Sequence, residues 1–366
     1  MARNILFHRR GLLRQCGSLS AALLAAPAAL GAPPPKVDDG ATRLRRRALA
    51  LHKKHVVFVI HDHNPIEPDV PRMSAGGVAG KLFSLGVDVD IEAGISASAI
   101  RRTGWSKKIL AALDDVDRLL ATHQQCVTLV RTAEEIDGAK RAGKIAIMLG
   151  VEGGKLLEGN LELLKTFYDR GLRELQLRWA VPNQIVEDEN LTYFGRQVVK
   201  ECNRLGIIIS LTHIPTPAFY DVIALTHKPP IVCHGVATVP GSGMSDLTDR
   251  KLKALVAHRG VVGIHFYTTY LGPQPTVQRV VQQVDYLANL VGIETIALGV
   301  DFFPTTGAWE KFQRDQGATN IQWAIPHIGE IAQVTEALLA RNYPEPDIAK
   351  ILGGNFLRVC REVFGK

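Results

Sequence analysis

The 366-residue sequence predicts an α/β fold, a single (β/α)₈ TIM-type barrel of the metal-dependent hydrolase kind. Three observations support this prediction. Eight short apolar runs alternate with amphipathic stretches of helical length, as in a parallel sheet that is buried on both faces. No Gly-x-Gly-x-x-Gly turn follows the first run, which disfavours the alternative, an open doubly wound sheet. Histidines and acidic residues end several runs, as expected at the mouth of a barrel enzyme.

The apolar runs are the candidate strands, and their number favours closure into a barrel. They cover residues 56–60, 126–130, 145–151, 172–177, 207–211, 230–233, 261–266 and 296–300. The clearest candidate helices cover residues 107–121, 132–142, 194–205, 249–257 and 277–290. Thr132, with Glu135 three residues later, forms a capping box that predicts the start of the second of these helices.

The bulk composition excludes several other classes of protein. A hydrophobic fraction of 46% and a charged fraction of 22% are ordinary for a globular chain. The net charge of +7 includes four arginines within residues 1–32, which contain no acid, so the remainder carries +3 and predicts no nucleic-acid partner. Beyond the first thirty or so residues, no apolar run approaches the roughly eighteen residues that a bilayer span needs, which predicts no stable membrane span.

The first 32 residues predict a cleaved export signal. Arg9 and Arg10 precede an apolar stretch at residues 19–26, and small residues offer cleavage sites near Ala28 and Ala32. The paired arginines indicate the twin-arginine export machinery as a partner. We therefore expect a periplasmic or secreted protein.

The rest of the chain predicts one domain. Residues 33–47, which begin with three prolines, are predicted to be a linker and N-terminal segment, and residues 48–366 a single metallohydrolase barrel. The wide spacing of the cysteines in the barrel matches neither a disulfide framework nor a Cys-x-x-Cys metal site. We therefore expect four buried free thiols, at Cys126, Cys202, Cys233 and Cys360.

Six polar residues at the ends of five predicted strands are the candidate metal ligands. The carboxyl ends of all strands in a parallel barrel converge on one mouth. Residues two apart in a strand face the same way, so His61 and His63 can point into that mouth together. Imidazole nitrogens and carboxylate oxygens suit zinc and similar divalent ions. The six residues are His61, His63, Glu152, His213, His234 and Asp301.

A set of motifs extends from about Ala48 to Val363 and is distinctive when taken together. The motifs are Glu152-Gly153-Gly154, Leu191-Thr192-Tyr193-Phe194-Gly195-Arg196, Asn203-Arg204-Leu205-Gly206, Leu211-Thr212-His213, Leu247-Thr248-Asp249, Leu298-Gly299-Val300-Asp301-Phe302 and Gly353-Gly354-Asn355-Phe356-Leu357-Arg358. Together they resemble the motifs of the renal-type membrane dipeptidases, the zinc peptidases of family M19.

The resemblance implies a two-metal hydrolase of amide bonds, with zinc as the cofactor and Glu152 as the bridging ligand. His213 and His234 would complete one metal position, and the first-strand histidine would hold the other near Asp301. Two metals activate a hydroxide near neutral pH, and Asp301 would carry a proton during catalysis, so that it and Glu152 are the expected catalytic residues. Tyr267 matches a position at the pocket wall, where it either stabilises the developing oxyanion or is a packed aromatic.

Three departures from the family pattern bear on metal and substrate. The family's first-strand motif is His-x-Asp, and aligning His63 with its histidine puts Pro65, which cannot bind a metal, in place of the aspartate. A shift of two residues restores two ligands as His61-x-His63, which we prefer. Two substrate contacts also change: a histidine of the family falls on Trp179, and the arginine that binds a dipeptide's free carboxylate falls on Ser245.

These replacements leave three hypotheses about function. The first is a hydrolase of dipeptides or modified peptides. The second is a periplasmic tailoring enzyme for a peptide-derived metabolite such as a siderophore precursor, because Trp179 and Ser245 suit a substrate without a free carboxylate. The third is a barrel that binds metal without turnover, which the presence of Asp301 disfavours. A small peptide or peptide-derived molecule is the expected substrate, and a homodimer is an open alternative to a monomer.

Overall fold

A computed structural model describes residues 40–245 and 247–365. The predicted export signal at residues 1–32 lies outside these described residues. The described strands are β1 (Phe58–Asp62), β2 (Gly80–Val87), β3 (Val127–Leu129), β4 (Ile145–Glu152), β5 (Leu172–Gln176), β6 (Val186–Glu187), β7 (Asn190–Leu191), β8 (Ile208–Ser210), β9 (Ile231–Gly235), β10 (Val261–Ile264) and β11 (Ile296–Leu298).

The helices mostly follow the strands and cover the outside of the sheet. They are α1 (Gly40–Lys54), α2 (Ile66–Gly76), α3 (Gly94–Ile100), α4 (Trp105–His123), α5 (Ala133–Arg141), α6 (Glu162–Asp169), α7 (Tyr193–Leu205), α8 (Thr216–Leu225), α9 (Asp249–Ala257), α10 (Thr268–Leu271), α11 (Val277–Val291), α12 (Gly307–Asp315), α13 (Ala332–Ala340), α14 (Glu345–Ala349) and α15 (Asn355–Phe364). The capping box is present, since the Thr132 hydroxyl accepts the N–H of Glu135 at 3.1 Å.

Eight parallel strands form a closed ring, which confirms the predicted (β/α)₈ barrel. The order around the ring is β1, β2, β4, β5, β8, β9, β10 and β11. The first strand meets the last where Val59 pairs with Leu298. On the other side of β1, β2 pairs directly with β4. Below the mouth, apolar side chains from most ring strands pack together with α15, where Phe356 stacks on Phe58 at 5.3 Å.

The sequence prediction of the strands is wrong at two places. The run at residues 126–130 forms β3, which lies outside the ring and pairs with the first half of β4, before β5 takes over the same edge. The missing ring strand is β2, whose apolar pattern is interrupted by Lys81, a residue that is fully buried. Its ammonium donates to Asp62 Oδ1 at 3.0 Å and to Asp69 Oδ2 at 2.7 Å, and this pairing is what permits a lysine inside the fold.

Helix α1 runs across the boundary that the sequence analysis placed between residues 47 and 48. One face of this helix packs against α13, because Leu44, Ala48 and Leu51 recur at helical spacing. Residues 40–47 are therefore part of the folded body. No helix among the described residues is both long and apolar enough to cross a membrane.

The cysteines follow the prediction at three of four positions. Cys202, Cys233 and Cys360 are fully buried free thiols. Cys126 is only half-buried, just before β3, so the expectation of a buried thiol is wrong there. Its position differs from that of the other three cysteines, which lie within packed strands and helices.

Candidate metal centre

All six predicted ligands meet at the carboxyl ends of the ring strands. His61 lies on β1 with His63 just beyond its end, Glu152 ends β4, and His234 lies on β9. The remaining two, His213 and Asp301, follow β8 and β11. Among the described residues, four groups of three side chains each have their potential ligand atoms within 4.8 Å of one another. Together these groups contain the six predicted ligands, Cys233 and His265.

Glu152 lies between two pairs of histidines, and each of its oxygens faces a different pair. Oε2 is 2.7 Å from His63 Nε2 and 3.8 Å from His61 Nε2. Oε1 is 3.2 Å from His213 Nε2 and 3.5 Å from His234 Nε2. This is the arrangement of a carboxylate that can give one oxygen to each of two cations.

The spacing of the nitrogens within each pair fits a metal ion. Two nitrogens bound to one zinc ion at about 2.0–2.1 Å lie about 2.9–3.4 Å apart at the usual angles. The Nε2 atoms of His61 and His63 are 3.1 Å apart, which is within this range, and those of His213 and His234 are 2.8 Å apart, just below it. Buried imidazoles and carboxylates at these separations form a donor set suited to two divalent cations.

The structure bears on the register of the first strand. His61 and His63 both direct Nε2 toward Glu152 and Asp301, with distances from Asp301 Oδ1 of 3.3 Å and 3.6 Å. Pro65 lies immediately before α2 and offers no side-chain ligand. The geometry therefore agrees with the preferred motif, His61-x-His63.

Asp301 has a partner that the sequence analysis missed. His265 Nε2 lies 3.0 Å from Asp301 Oδ2, and His265 is fully buried. The predicted strand at residues 261–266 includes His265, whereas β10 ends at Ile264. The signal was available in the sequence, since His265 is a histidine at a strand end like the others.

The electrostatics of the cluster favour ionised carboxylates. Burial alone would raise the pKa of Glu152, but His63 and His213 beside it hold that pKa well below its ordinary value. Burial likewise opposes ionisation of Asp301, whose pKa is held well below normal by His234 and His265. For His234, burial and then His61 lower the pKa well below its ordinary value.

The backbone is strained at two of the predicted ligands. His213 has a φ of 60° and Asp301 a φ of 54°, in the left-handed region that non-glycine residues seldom occupy. Such a conformation costs roughly 1–3 kcal/mol and persists where the surrounding structure fixes it, often at functional sites. Both residues lie three positions after the end of a ring strand, β8 or β11, where the chain turns at the mouth of the barrel.

An aromatic wall, defined by Trp179, Phe303, Trp309 and Phe312, borders the cluster on one side. The ring of Trp309 lies 5.4 Å from that of His63 and stacks on Phe303 at 5.7 Å. Trp179 contacts Phe312 at 5.8 Å and Trp309 at 6.4 Å. Trp309 comes from α12, beyond the last ring strand, so no strand pattern in the sequence pointed to it.

The other two predicted substrate residues lie in different surroundings. The Ser245 hydroxyl donates to Val236 O at 2.7 Å and accepts from Thr238 at 3.2 Å, within the loop that follows β9. Tyr267 is 3% exposed, and its ring packs against Phe303 and Trp323 at 5.2 and 5.3 Å. Its ring is packed, while its buried hydroxyl has no hydrogen-bond partner among the described residues.

Comparison with known proteins gives consistent matches over most of the chain. A sequence model of the family described as membrane dipeptidase, peptidase family M19, matches residues 44–364. A dipeptidase named tcpJ from Claviceps purpurea (strain 20.1) is 25% identical over 306 residues, which are 81% of this chain and 69% of that protein.

Solved structures share the fold. An amidohydrolase from Pseudomonas aeruginosa superposes with a TM-score of 0.76 at 24% identity, covering 87% of this chain and 99% of the other. The probable dipeptidase PvdM from the same organism has a TM-score of 0.75 at 18% identity, with coverages of 88% and 98%. A metallo peptidase from Rhodobacter sphaeroides, liganded with a phosphinate mimic of L-Ala-D-Ala, has a TM-score of 0.70 at 23% identity, with coverages of 84% and 99%.

Proposed function

The chain belongs to the membrane dipeptidase family, peptidase family M19, and from that premise we propose that it is a two-zinc hydrolase of an amide bond in a peptide-derived substrate whose carboxyl end is blocked, extended or absent. The observation that carries the two-metal part is Glu152, which directs one oxygen to each pair of histidines. Zinc binds both imidazole nitrogens and carboxylate oxygens.

Each candidate ligand has a place in this scheme. His61, His63 and Asp301 would hold one ion, and His213 and His234 the other, with Glu152 shared. When bound, the ions supply Lewis acidity that polarises the scissile carbonyl and makes hydroxide available near neutral pH.

Asp301 is the residue that we propose to carry the proton. Oδ1 lies 3.3 Å from His61 Nε2 and Oδ2 lies 3.0 Å from His265 Nε2, so the carboxylate is packed between two imidazoles beside the cluster. In hydrolysis, water adds its oxygen to the carbonyl carbon and the carbon–nitrogen bond breaks. Asp301 takes the proton that the attacking water loses and returns it to the departing amine. Tyr267 contributes packing at the wall in this scheme.

The substrate proposal rests on Ser245 and on the aromatic wall. A dipeptidase that binds a free α-carboxylate gains from a bidentate arginine, and at this position the chain has a neutral hydroxyl that is already hydrogen-bonded to its own loop. Trp179 and Trp309 offer flat apolar surface beside the cluster. Both features favour an uncharged substrate end with an apolar or aromatic group, whether a capped peptide or a peptide-derived metabolite such as a siderophore precursor.

The test is turnover by protein reconstituted with zinc, measured on matched pairs of substrates. Each pair is a dipeptide and its C-terminal amide, with alanine or phenylalanine at the C-terminal position. We expect higher kcat/KM for the amides and for phenylalanine, and a loss of about 10²–10⁴-fold in kcat in Asp301→Asn, which removes the proton carrier. The absence of turnover of every pair, with any divalent metal, contradicts the proposal and favours a barrel that binds metal without catalysis.

We also propose export through the twin-arginine pathway, which rests on Arg9 and Arg10 in the sequence. Replacing both arginines by lysine preserves the charge and removes the recognised pair. We expect the variant to accumulate in the cytoplasm while the wild type is found in the periplasm or medium, as measured by cell fractionation. Undiminished export of the variant would remove the twin-arginine route.

A further inference from the structure

A buried thiol lies beneath both pairs of histidines. Cys233 is fully buried on β9, directly before His234. Neighbouring residues of a regular strand face opposite sides, but the pairing of β9 with β10 shifts its register between Val232 and Gly235. This irregularity allows Cys233 and His234 to contact the same cluster.

The sulfur contacts one histidine from each pair. Cys233 Sγ is 3.4 Å from His61 Nδ1 and 3.4 Å from His234 Nδ1. The opposite nitrogen of each ring, Nε2, faces Glu152 and the other histidine of its pair. An imidazole that gives Nε2 to a cation carries its proton on Nδ1, and that N–H needs an acceptor.

The same thiol also reaches the carboxylate between the pairs. Its S–H donates to Gln176 Oε1 at 3.4 Å, and Gln176 Nε2 donates to Glu152 Oε1 at 3.2 Å. Thr212 Oγ1 lies 3.3 Å from the sulfur on another side. A sulfur atom suits these long contacts, whereas hydrogen bonds to a hydroxyl oxygen are shorter, at about 2.7–3.0 Å.

We infer that Cys233 is a positioning residue for both metal positions at once, with its sulfur accepting the Nδ1–H of His61 and of His234. This inference rests on the two-metal centre proposed above. Cys233 fixes the ring orientation of one ligand in each position and, through Gln176, the carboxylate that they share. Loss of the thiol therefore weakens metal binding at both positions together.

The test compares zinc affinity, measured by competition with a chelator, in wild type, Cys233→Ala and Cys233→Ser. Removing a group that orients metal ligands typically costs about 10–100-fold in metal affinity, and we expect a loss in that range at both positions in Cys233→Ala. Cys233→Ser keeps a hydrogen-bond acceptor, so we expect it to recover part of the affinity. Circular dichroism and Tm establish that each variant is folded.

Two buried thiols serve as matched controls. Cys202 and Cys360 are as buried as Cys233, and they pack within helices rather than against the cluster. We expect Cys202→Ala and Cys360→Ala to lower Tm without changing zinc affinity, because they create a comparable cavity without removing a partner of the histidines.

Three results would overturn the inference. The first is unchanged zinc affinity in Cys233→Ala, and the second is a loss confined to one position. The third is a sulfur-to-metal charge-transfer band in wild-type protein loaded with Co²⁺, because Cys233 would then bind the ion itself, with the Nδ1 atoms of His61 and His234 as companions. A wild type that binds no divalent ion contradicts the proposed function as well, whereas the first two results leave that proposal intact.

Discussion

His265 contacts one oxygen of Asp301 through Nε2, and a hydrogen bond from the backbone to its other nitrogen, Nδ1, sets the position of the ring proton. His265 Nδ1 accepts the N–H of Tyr267 at 3.1 Å, so the ring proton is on Nε2, which lies 3.0 Å from Asp301 Oδ2. Tyr270 stacks on the ring at 4.1 Å and limits its rotation. Burial lowers the pKa of His265, which favours the neutral ring with its one proton on Nε2.

The first prediction concerns this contact. In His265→Ala, Asp301 loses the imidazole that contacts its Oδ2 and turns more freely, so we expect kcat to fall by about 10–100-fold with little change in KM or zinc content. His265→Gln offers an amide N–H in the same region, and we expect it to recover part of kcat. Steady-state kinetics and metal analysis measure both effects. A wild-type kcat in His265→Ala would show that the contact has no catalytic role.

The second prediction concerns the shared carboxylate. We expect Glu152→Gln to lose at least one zinc ion per chain, because an amide offers one neutral oxygen where the carboxylate offers two charged ones. Glu174→Gln is the matched control. Glu174 is also a buried strand residue, and burial, followed by the charge of Glu152, raises its pKa well above normal, so it is already uncharged. Unchanged zinc stoichiometry in Glu152→Gln would contradict the bridging role.

The third prediction concerns the choice of substrate. We expect Ser245→Arg to raise kcat/KM for a free dipeptide relative to its C-terminal amide by about tenfold or more, since a new cation can pair with the free carboxylate. Ser245→Gln also lengthens the side chain but adds no charge, so it should not change this ratio of kcat/KM values. If the wild type already prefers free dipeptides and the arginine adds nothing, another cation, such as Arg178 beside Trp179, must bind the carboxylate.

The fourth prediction concerns stability and pH at a site on α1. His52 is fully buried, with Nδ1 at 2.7 Å from Gly76 O and Nε2 at 2.8 Å from Thr335 Oγ1. Burial lowers its pKa from 6.5 to about 4. A lowered pKa in the folded state means that the unfolded chain binds the proton first as the pH falls. Stability from this group is complete above pH 6.5 and is lost toward pH 4.

We expect this effect to cost about 2 kcal/mol of unfolding free energy between pH 7.5 and pH 5. The measurement is denaturant unfolding of wild type and His52→Gln at both pH values. Glutamine does not titrate, so the stability difference between the two proteins should shrink by that amount at pH 5. A difference independent of pH would mean that His52 does not titrate in this range.

Much of the barrel could be predicted from the sequence, because buried parallel strands are apolar without interruption. Seven of the eight ring strands fall on predicted runs, although β5 also contains Arg173, Glu174 and Gln176. The prediction fails at β2, where Lys81 is neutralised by Asp62 and Asp69, residues that come close only in the folded chain. It also fails at β3, an apolar run that the ring excludes because β2 pairs with β4 directly.

The residues of the candidate site that could be predicted from the sequence are those at the carboxyl ends of predicted strands. His61, Glu152 and Asp301 were identifiable for this reason. The sequence predicts only a buried thiol at Cys233, because its contact with two histidines depends on a local shift of register. Trp309 lies on a helix of the loop region, and only the folded chain shows that its ring is beside His63.

The pairing of Val59 with Leu298 has a consequence for synthesis of the protein. The first ring strand leaves the ribosome early but finds its neighbour only after the last strand has been made. Until then, β1 and β10 both present open edges, which are liable to aggregate. His61 likewise meets Asp301 only when this seam closes. A nascent chain or a truncated product therefore has an incomplete set of candidate ligands.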